Sequence, residues 1–235
     1  MLRYATLKKK PKELLALTGL ARQELEELLP AFEQALKKPP RAKKRRKRAP
    51  GGGRKASLPT VADQLLFILV YVKTYPLQVV QAELFGISQP SANRYIRQLL
   101  PVLAKALDDL GVMPEREGQK AAAHERRQGE AKDLIVDGVE RRRQRPKKAE
   151  KQAIHYSGKM HAHMDKNVVV VNTQTKRVSF LSQTLPGAAH DKAIADHVQI
   201  RYPHDCTLRS DLGFYGYAPH VKEHLQPKKS PKVRS

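Results

Sequence analysis

Two aspartates stand where they could hold a divalent cation. Asp137 closes the apolar run "LIVDG" and Asp211 closes "TLRSDLGFYGY", each with a glycine within the next two residues. An acid at the C-terminal end of a strand is exposed at the edge of a sheet, where open α/β sheets hold their ligands. Two such ends on neighbouring strands bring hard carboxylate oxygens within reach of one Mg2+. Metals bridged by carboxylates activate a water or a 3′-hydroxyl and stabilise the leaving oxygen in phosphodiester cleavage. Soon after Asp137 come Arg141, Arg142, Arg143, Arg145, Lys147 and Lys148, a block suited to gripping a phosphate backbone. Both aspartates also suit plain turns before glycine, so the pattern leaves two readings open.

A second cluster could read bases. "QVVQAELFGISQPSANRYIRQLL" has the form helix, tight turn, helix, with Gly86 as a left-handed cap and Ser88 capping the second helix. In that second helix Ala92, Tyr95, Ile96 and Leu99 share one face, while Gln89, Asn93 and Arg97 recur every four residues on another. Ser91, Arg94 and Gln98 lie beside them. Arg suits guanine, and Asn and Gln suit adenine, in the major groove. An ordinary solvated face of a bundle helix would look similar. Upstream, "KKPPRAKKRRKRAPGGGRK" has no acid and cannot bury a core; Arg45, Arg46 and their neighbours are expected to follow phosphates without reading sequence.

Whole-chain charge favours the nucleic-acid readings. The 235 residues carry 45 Lys plus Arg against 23 acids, a formal charge of +22 that points to a polyanionic partner. The apolar run "LLFILVYV" is far short of a membrane span, and no signal peptide opens the chain, so a cytoplasmic, DNA-associated protein is expected. Cys206 is the single cysteine, which excludes an internal disulfide and suits a small buried residue with no catalytic part. His161 and His163 would alternate on one strand as an imaginable zinc pair, without further ligands at suitable spacing. His155 and Tyr156 fit a supporting role beside the basic groove. Tyr215 and Tyr217 could stack on bases or pack against the sheet.

The elements that must position these residues fall into four segments: N-terminal helices (1–36), a flexible basic linker (37–57), a helix-turn-helix domain (58–113) and a catalytic domain (131–235). Thr60 and Asp63 form a cap for an apolar helix through Tyr75, and Pro76 stands where the next helix would start. A further long helix, "PVLAKALDDLG", finishes the helical part. The polar stretch "EGQKAAAHERRQGEAK" reads as loop. Strands are expected at "DLIVDG", "KMHAHMDKNVVVVN", "KRVSFLS" and "CTLRSD", with a turn at "NTQTK" and a helix at "HDKAIADHV". The fold class is therefore α+β, with an all-α region followed by strands, a helix and a strand.

The combination of "IVDGVERRRQRPKKAEKQAIHYSGKMHAHMDKNVVVVN", "RVSFLSQTLPGAAHDKAIAD" and "SDLGFYGYAP" resembles the catalytic domain of bacterial insertion-sequence transposases, the DDE superfamily endonucleases related to the Harbinger elements. The segment "LPTVADQLLFILVYVKTYPLQVVQAELFGISQPSANRYIRQLLPVLAKAL" looks like the helix-turn-helix such transposases carry ahead of it. The resemblance implies an RNase H-like domain, here a partial one. It also implies a triad of two aspartates and a glutamate holding Mg2+ or Mn2+, two ions in the complete site. Double-stranded DNA is implied as partner, both the element's terminal inverted repeats and target DNA, as is a homo-oligomer in a synaptic complex. Asp137 and Asp211 match the family's first and second aspartates. His190 and Asp191, in "PGAAHDKAIAD", match a further motif, and Asp191 suits capping or positioning. The glutamate has no counterpart before Ser235, since Glu223 follows Asp211 too closely. The expectation is thus a C-terminally incomplete enzyme, doubtful in chemistry alone, or a non-catalytic DNA-binding fragment that occupies element ends. An RNA-binding protein explained by charge alone is the third alternative.

Overall fold

The computed structural model describes residues 1–37, 56–128 and 132–228. Two compact units make up the chain, Met1–Met113 and Pro114–Ser235. Most of the basic linker, including Arg45 and Arg46, lies outside the described residues. No helix among the described residues is long and apolar enough to cross a membrane.

The first unit holds α1 (Tyr4–Leu7), α2 (Pro11–Thr18), α3 (Arg22–Leu36), α4 (Val61–Thr74), α5 (Gln78–Phe85) and α6 (Gln89–Asp109). α4 is apolar nearly all round and is buried accordingly. Its Leu65, Leu66, Phe67, Ile68 and Val70 share one core with Leu14, Leu25 and Phe32 of α2 and α3, and with Phe85 and Leu99 of α5 and α6. The start of α4 is fixed by Thr60, whose Oγ1 accepts from the Asp63 amide at 3.0 Å. Asp63 Oδ1 accepts in turn from the Tyr4 amide at 2.9 Å, tying α1 to the cap. Gly19 and Gly86 take the left-handed conformation that stops α2 and α5.

Three local expectations need correction. α5 starts at Gln78 rather than Pro76, because Tyr75 closes α4 in the left-handed region and Leu77 becomes the N-cap. Ser88 is the N-cap of α6 by backbone position only; its hydroxyl donates to Ser91 Oγ at 3.0 Å instead of capping. The second helix of the helix-turn-helix pair and the "PVLAKALDDLG" helix are one element, α6, which runs through Pro101. An interior proline costs a helix about 3 kcal/mol. The buried stripe Ala92, Ile96, Leu99, Leu103 and Ala106 continues across it and outweighs that cost.

The second unit holds α7 (Ala121–Gln128), β1 (Asp133–Arg142), α8 (Ala149–His155), β2 (Tyr156–Ser157), β3 (Ala162–Asn172), β4 (Val178–Leu181), β5 (Leu185–Pro186), α9 (Asp191–Val198), β6 (Thr207–Ser210) and β7 (Glu223–Leu225). β3 pairs antiparallel with β1 along one edge and carries β2, β5 and β4 along the other. β6 runs parallel to β1, and β7 parallel to β6. The fold is therefore α+β: helices first, then antiparallel strands, the crossover helix α9 and a parallel strand.

Strand alternation divides the sheet into two faces. Leu134 and Val136 of β1, Val168 and Val170 of β3 and Leu208 of β6 are buried against Ala121 of α7 and Ile194 and Ala195 of α9. On the other face Ile135 and Val139 remain 39% and 40% exposed.

The turn at Asn172 is as expected, its Oδ1 accepting from the amides of Gln174 and Thr175. The stretch expected as loop contains a 3-10 turn and α7. That stretch is polar overall, but Ala121 and Glu125, four residues apart, are buried on one side of it. β1 also runs four residues beyond Gly138, because its antiparallel ladder with β3 continues to Arg142↔Met164.

Candidate active site

The parallel ladder between β1 and β6 ends at Val136↔Ser210. Asp137 and Asp211 are therefore the next residues in register on neighbouring strands. Asp211 keeps an extended backbone (φ −84°, ψ −177°), so alternation continues through it. Both carboxylates leave the sheet on its open face, in line with Asp133 and Ile135 on one strand and Thr207 and Arg209 on the other. Adjacent strands lie about 4.8 Å apart, so the two side chains stand side by side. Both residues are exposed. Asp137 lies within β1 rather than at its end, but the parallel partner stops there, which opens the sheet beside it.

Each carboxylate is oriented by a backbone amide. Gly138 N–H donates to Asp137 Oδ1 at 2.7 Å, and Gly213 N–H to Asp211 Oδ1 at 3.0 Å. The loop after Asp211 is fixed by Gln226, whose amide donates to Ser210 Oγ (2.8 Å) and to the Phe214 carbonyl (2.9 Å). Ser210 Oγ also lies 2.9 Å from His224 Nε2, and burial holds the His224 imidazole below its usual range.

Behind the pair, on the helix-covered face, sits a buried charge network. Lys166, 6% exposed, lies 3.1 Å from both Glu140 Oε1 and Asp191 Oδ1 and donates to the Ala189 carbonyl at 3.0 Å. The contact with Asp191 Oδ1 is coulombic, since this buried oxygen receives no well-aligned hydrogen bond. Ser157 Oγ donates to Glu140 Oε2 at 3.0 Å. Burial disfavours the Glu140 carboxylate, but Lys166 and Ser157 outweigh it, and its pKa falls below the usual range. Burial likewise disfavours the Lys166 ammonium, yet its two acidic partners raise its pKa.

Asp191 is the first residue of α9 and does not cap it; the N-cap is His190, whose side chain makes no capping bond. The Asp191 carboxylate instead fills the space over two glycines. A Cβ on Gly138 would collide with Asp191 Oδ1, and one on Gly213 would lie 2.7 Å from Oδ2. One side chain thus backs the residues that follow both site aspartates. Gly138→Ala is expected to destabilise the second unit by about 2 kcal/mol through overpacking. Removing glycine's backbone freedom would by itself stabilise by about 0.5–1 kcal/mol, so the sign is decisive. Amide exchange along β1 reads the effect; unchanged protection would mean Asp191 swings clear without cost.

Residues 56–109, spanning α4 to α6, match a family model described as the helix-turn-helix of DDE superfamily endonuclease. Residues 136–214 match the model described as DDE superfamily endonuclease, and this match encloses Asp137, Asp191 and Asp211.

The chain belongs to the DDE superfamily endonucleases.

No curated protein and no solved structure matches it. A DNA-binding helix-turn-helix joined to an endonuclease domain is the organisation of a transposase-like protein that binds and cleaves DNA.

Endonucleases of this superfamily are metal-dependent. The donor set at Asp137 and Asp211 fits a hard divalent cation, since each carboxylate offers a second oxygen not taken by its glycine amide. Mg2+ commonly binds through one or two carboxylates together with substrate phosphates. Among the described residues no group of three or more His, Cys, Asp or Glu is placed to hold a metal. Glu223 lies on β7 opposite Thr207, whose hydroxyl donates to it at 3.3 Å. Four residues of strand separate Thr207 from Asp211, about 13 Å at 3.3 Å per residue, which keeps Glu223 away from the pair.

The DDE domain distributes its arginines unequally. Arg141, on the same face as Asp137, donates to Asn167 Oδ1 (2.8 Å) and Thr184 Oγ1 (3.1 Å), neutral partners that orient it and leave its charge available. Arg143 is paired with Asp165 at 2.8 Å and packs against His155, itself 3.1 Å from Asp165. Arg145 donates to Gln152 Oε1, and Arg142 is exposed, with alternation placing it on the opposite face from Arg141. The block is thus not one continuous phosphate grip. His161 has a positive φ of 48° and precedes β3, so it does not share a strand with His163, whose ring packs edge-on against Tyr156. Cys206 is fully buried and its thiol is pushed up to about 11 by burial. Tyr217 is buried, its hydroxyl donating to Tyr202, while Tyr215 is exposed.

On α6, Gln89, Arg94, Arg97 and Gln98 are exposed, and Ser91 and Asn93 half-buried. Gln78, at the start of α5, accepts from Gln89 Nε2 (2.8 Å) and Asn93 Nδ2 (3.0 Å) and so orients two of the six side chains. Arg94 donates to Ser91 Oγ at 3.1 Å.

Sequence reasoning missed Lys166, Glu140 and Gln226. A signal existed for Lys166: it shares strand parity with Val168 and Val170, which puts a cation on the buried face. Gln226 had none, because β7 is three residues long and weakly patterned.

Proposed function

We propose that this chain is an insertion-sequence transposase that recognises the terminal inverted repeats of its element and cleaves and joins DNA strands at a Mg2+- or Mn2+-dependent site on Asp137 and Asp211. One observation carries the reading: two exposed carboxylates in register on the open face of neighbouring parallel strands, each oriented by a glycine amide. When bound, the cation supplies charge neutralisation at the phosphate and an activated oxygen nucleophile. The chain's own residues do the rest. Asp137 and Asp211 would hold the ion, and Arg141 would receive a backbone phosphate on the same face. Asp191 and Gln226 keep the two carboxylate-bearing segments in place. In the helical unit, Gln89, Asn93 and Arg97 would face base edges, with Gln78 holding two of them pre-oriented. The antiparallel strands, α9 and parallel β6 support an RNase H-like reading of the domain.

A second reading, a DNA-binding protein that occupies element ends without cutting them, is favoured by the absence, among the described residues, of three acidic or other ligating side chains placed together to hold a metal. Incubating the purified chain with supercoiled DNA carrying element ends separates the two. Cleavage in Mg2+ or Mn2+ that stops with a chelator is the expected result. Binding of those ends with no cleavage in either ion would replace the first reading with the second.

A further inference from the structure

The endonuclease unit has a cavity away from the carboxylate pair. It measures about 490 Å³ and opens between α7 and the segment that follows α9. Arg126 enters it from α7, Arg201 and His204 from the following segment, and His220 from the loop before β7. Among the described residues no acidic side chain lines it, and none pairs with either arginine. Its apolar part is formed by Ile200 and Tyr202, with two alanines of α7. Ile200, Tyr202 and α7 belong to the core on the helix-covered face, whereas Asp137 and Asp211 lie on the open one. A phosphate held here is therefore separate from the cation site proposed at the carboxylates.

Two guanidinium groups facing one cavity without a counter-charge repel each other, and an anion between them removes that cost. Guanidinium forks match phosphate oxygens bidentately, and the imidazoles of His204 and His220 add further N–H donors. Inorganic anions alone would leave Ile200 and Tyr202 unused. A cavity of this size falls within the range of about 300–1,000 Å³ typical of small-ligand sites. It is a concave site for one nucleotide rather than a track for a duplex.

We propose that this pocket binds a nucleoside phosphate, with Arg126 and Arg201 on the phosphate and Ile200 and Tyr202 against the nucleoside. A free nucleotide and the 5′-phosphorylated end of a strand share this chemistry.

The test is calorimetric titration of the full chain with adenosine 5′-monophosphate, adenosine and inorganic phosphate. It is then repeated with a single-stranded hexanucleotide carrying either a 5′-phosphate or a 5′-hydroxyl. Arg126→Ala and Arg201→Ala should each weaken the monophosphate about tenfold, the worth of one charge-assisted fork. Arg177→Ala, the same charge loss at an exposed site on the β3–β4 turn, should not. Both pocket arginines are exposed, and unchanged circular dichroism checks that their removal leaves the fold intact. Asp137→Asn should leave monophosphate binding as it is, which separates this site from the carboxylate pair. A 5′-phosphate preference among hexanucleotides that depends on the two arginines identifies a strand end, and monophosphate binding without it identifies a free nucleotide; either supports the site. The proposal is overturned if the pocket variants lose no more than Arg177→Ala. It is equally overturned if adenosine or inorganic phosphate binds as tightly as the monophosphate.

Discussion

Asp137→Asn is expected to lower metal-dependent strand cleavage by about a thousandfold, with Asp211→Asn falling to a similar level. A metal ion supplies several kcal/mol of charge stabilisation, and about 4 kcal/mol corresponds to a factor near a thousand. Asparagine keeps the size of the side chain and an oxygen for the Gly138 or Gly213 amide, so local structure is preserved. What it removes is the charge that would draw a hard cation. Asp133→Asn is the matched control. It lies on the same strand and face, four residues away, paired with Arg209 at 2.9 Å, and should cleave near the native rate. Mn2+ binding followed by electron paramagnetic resonance should fail in the two site variants and persist in the control. If all three variants cleave alike, the chemistry is elsewhere in the chain.

The largest effect on stability is expected from Lys166→Met. The substitution keeps a long, flexible side chain in the same space but leaves Glu140 and Asp191 facing each other without a cation. Removing one member of a buried ionic group costs about 3–5 kcal/mol, because the remaining charge stays desolvated. Amide exchange along β1 and β3 should accelerate at least about a hundredfold, since each 1.4 kcal/mol is a factor of ten. Adding Glu140→Gln and Asp191→Asn should restore part of the loss by removing the stranded charges. The pH dependence follows from the directions of the shifts. Lys166 has a raised pKa, so its contribution is complete below the ordinary lysine value and is lost as pH climbs through the raised one. Glu140 has a lowered pKa, so its contribution is complete above the ordinary carboxylate value and is lost as pH falls through the lowered one. A plateau spanning neutral pH should therefore flank β1, and Lys166→Met should remove its alkaline edge. Unchanged exchange in the variant would show that the network is not a stabilising unit.

Local chemistry was legible wherever it is encoded within a few residues. Thr60 and Asp63 form the expected cap, Gly19 and Gly86 stop helices by adopting positive φ, and Asn172 makes the expected turn. Strand cores with strong β-branched runs, such as Val168 to Val171, fell where the pattern placed them. Long-range pairing was not legible. β1 passes through Gly138 into the arginine block because β3 continues beside it, and Pro101 stays helical because a buried stripe spans it. In both cases tertiary packing overrode a local stop signal.

For the site, the amino-acid sequence by itself determined which two aspartates precede a glycine at strand ends, how basic their surroundings are, and which helix carries Gln89, Asn93 and Arg97 at four-residue spacing. Residue type, spacing and net charge are properties of the chain, and they survive any arrangement in space. Only the tertiary structure decided that Asp137 and Asp211 share a face. That depends on the parallel register of β1 with β6, and a shift of one residue would have turned one carboxylate into the core. Folding alone also decided, between capping and positioning, that Asp191 supports two glycines, and it buried Lys166 between two acids. It paired Arg143 with Asp165 as well, because charge neutralisation inside a sheet depends on which strands become neighbours.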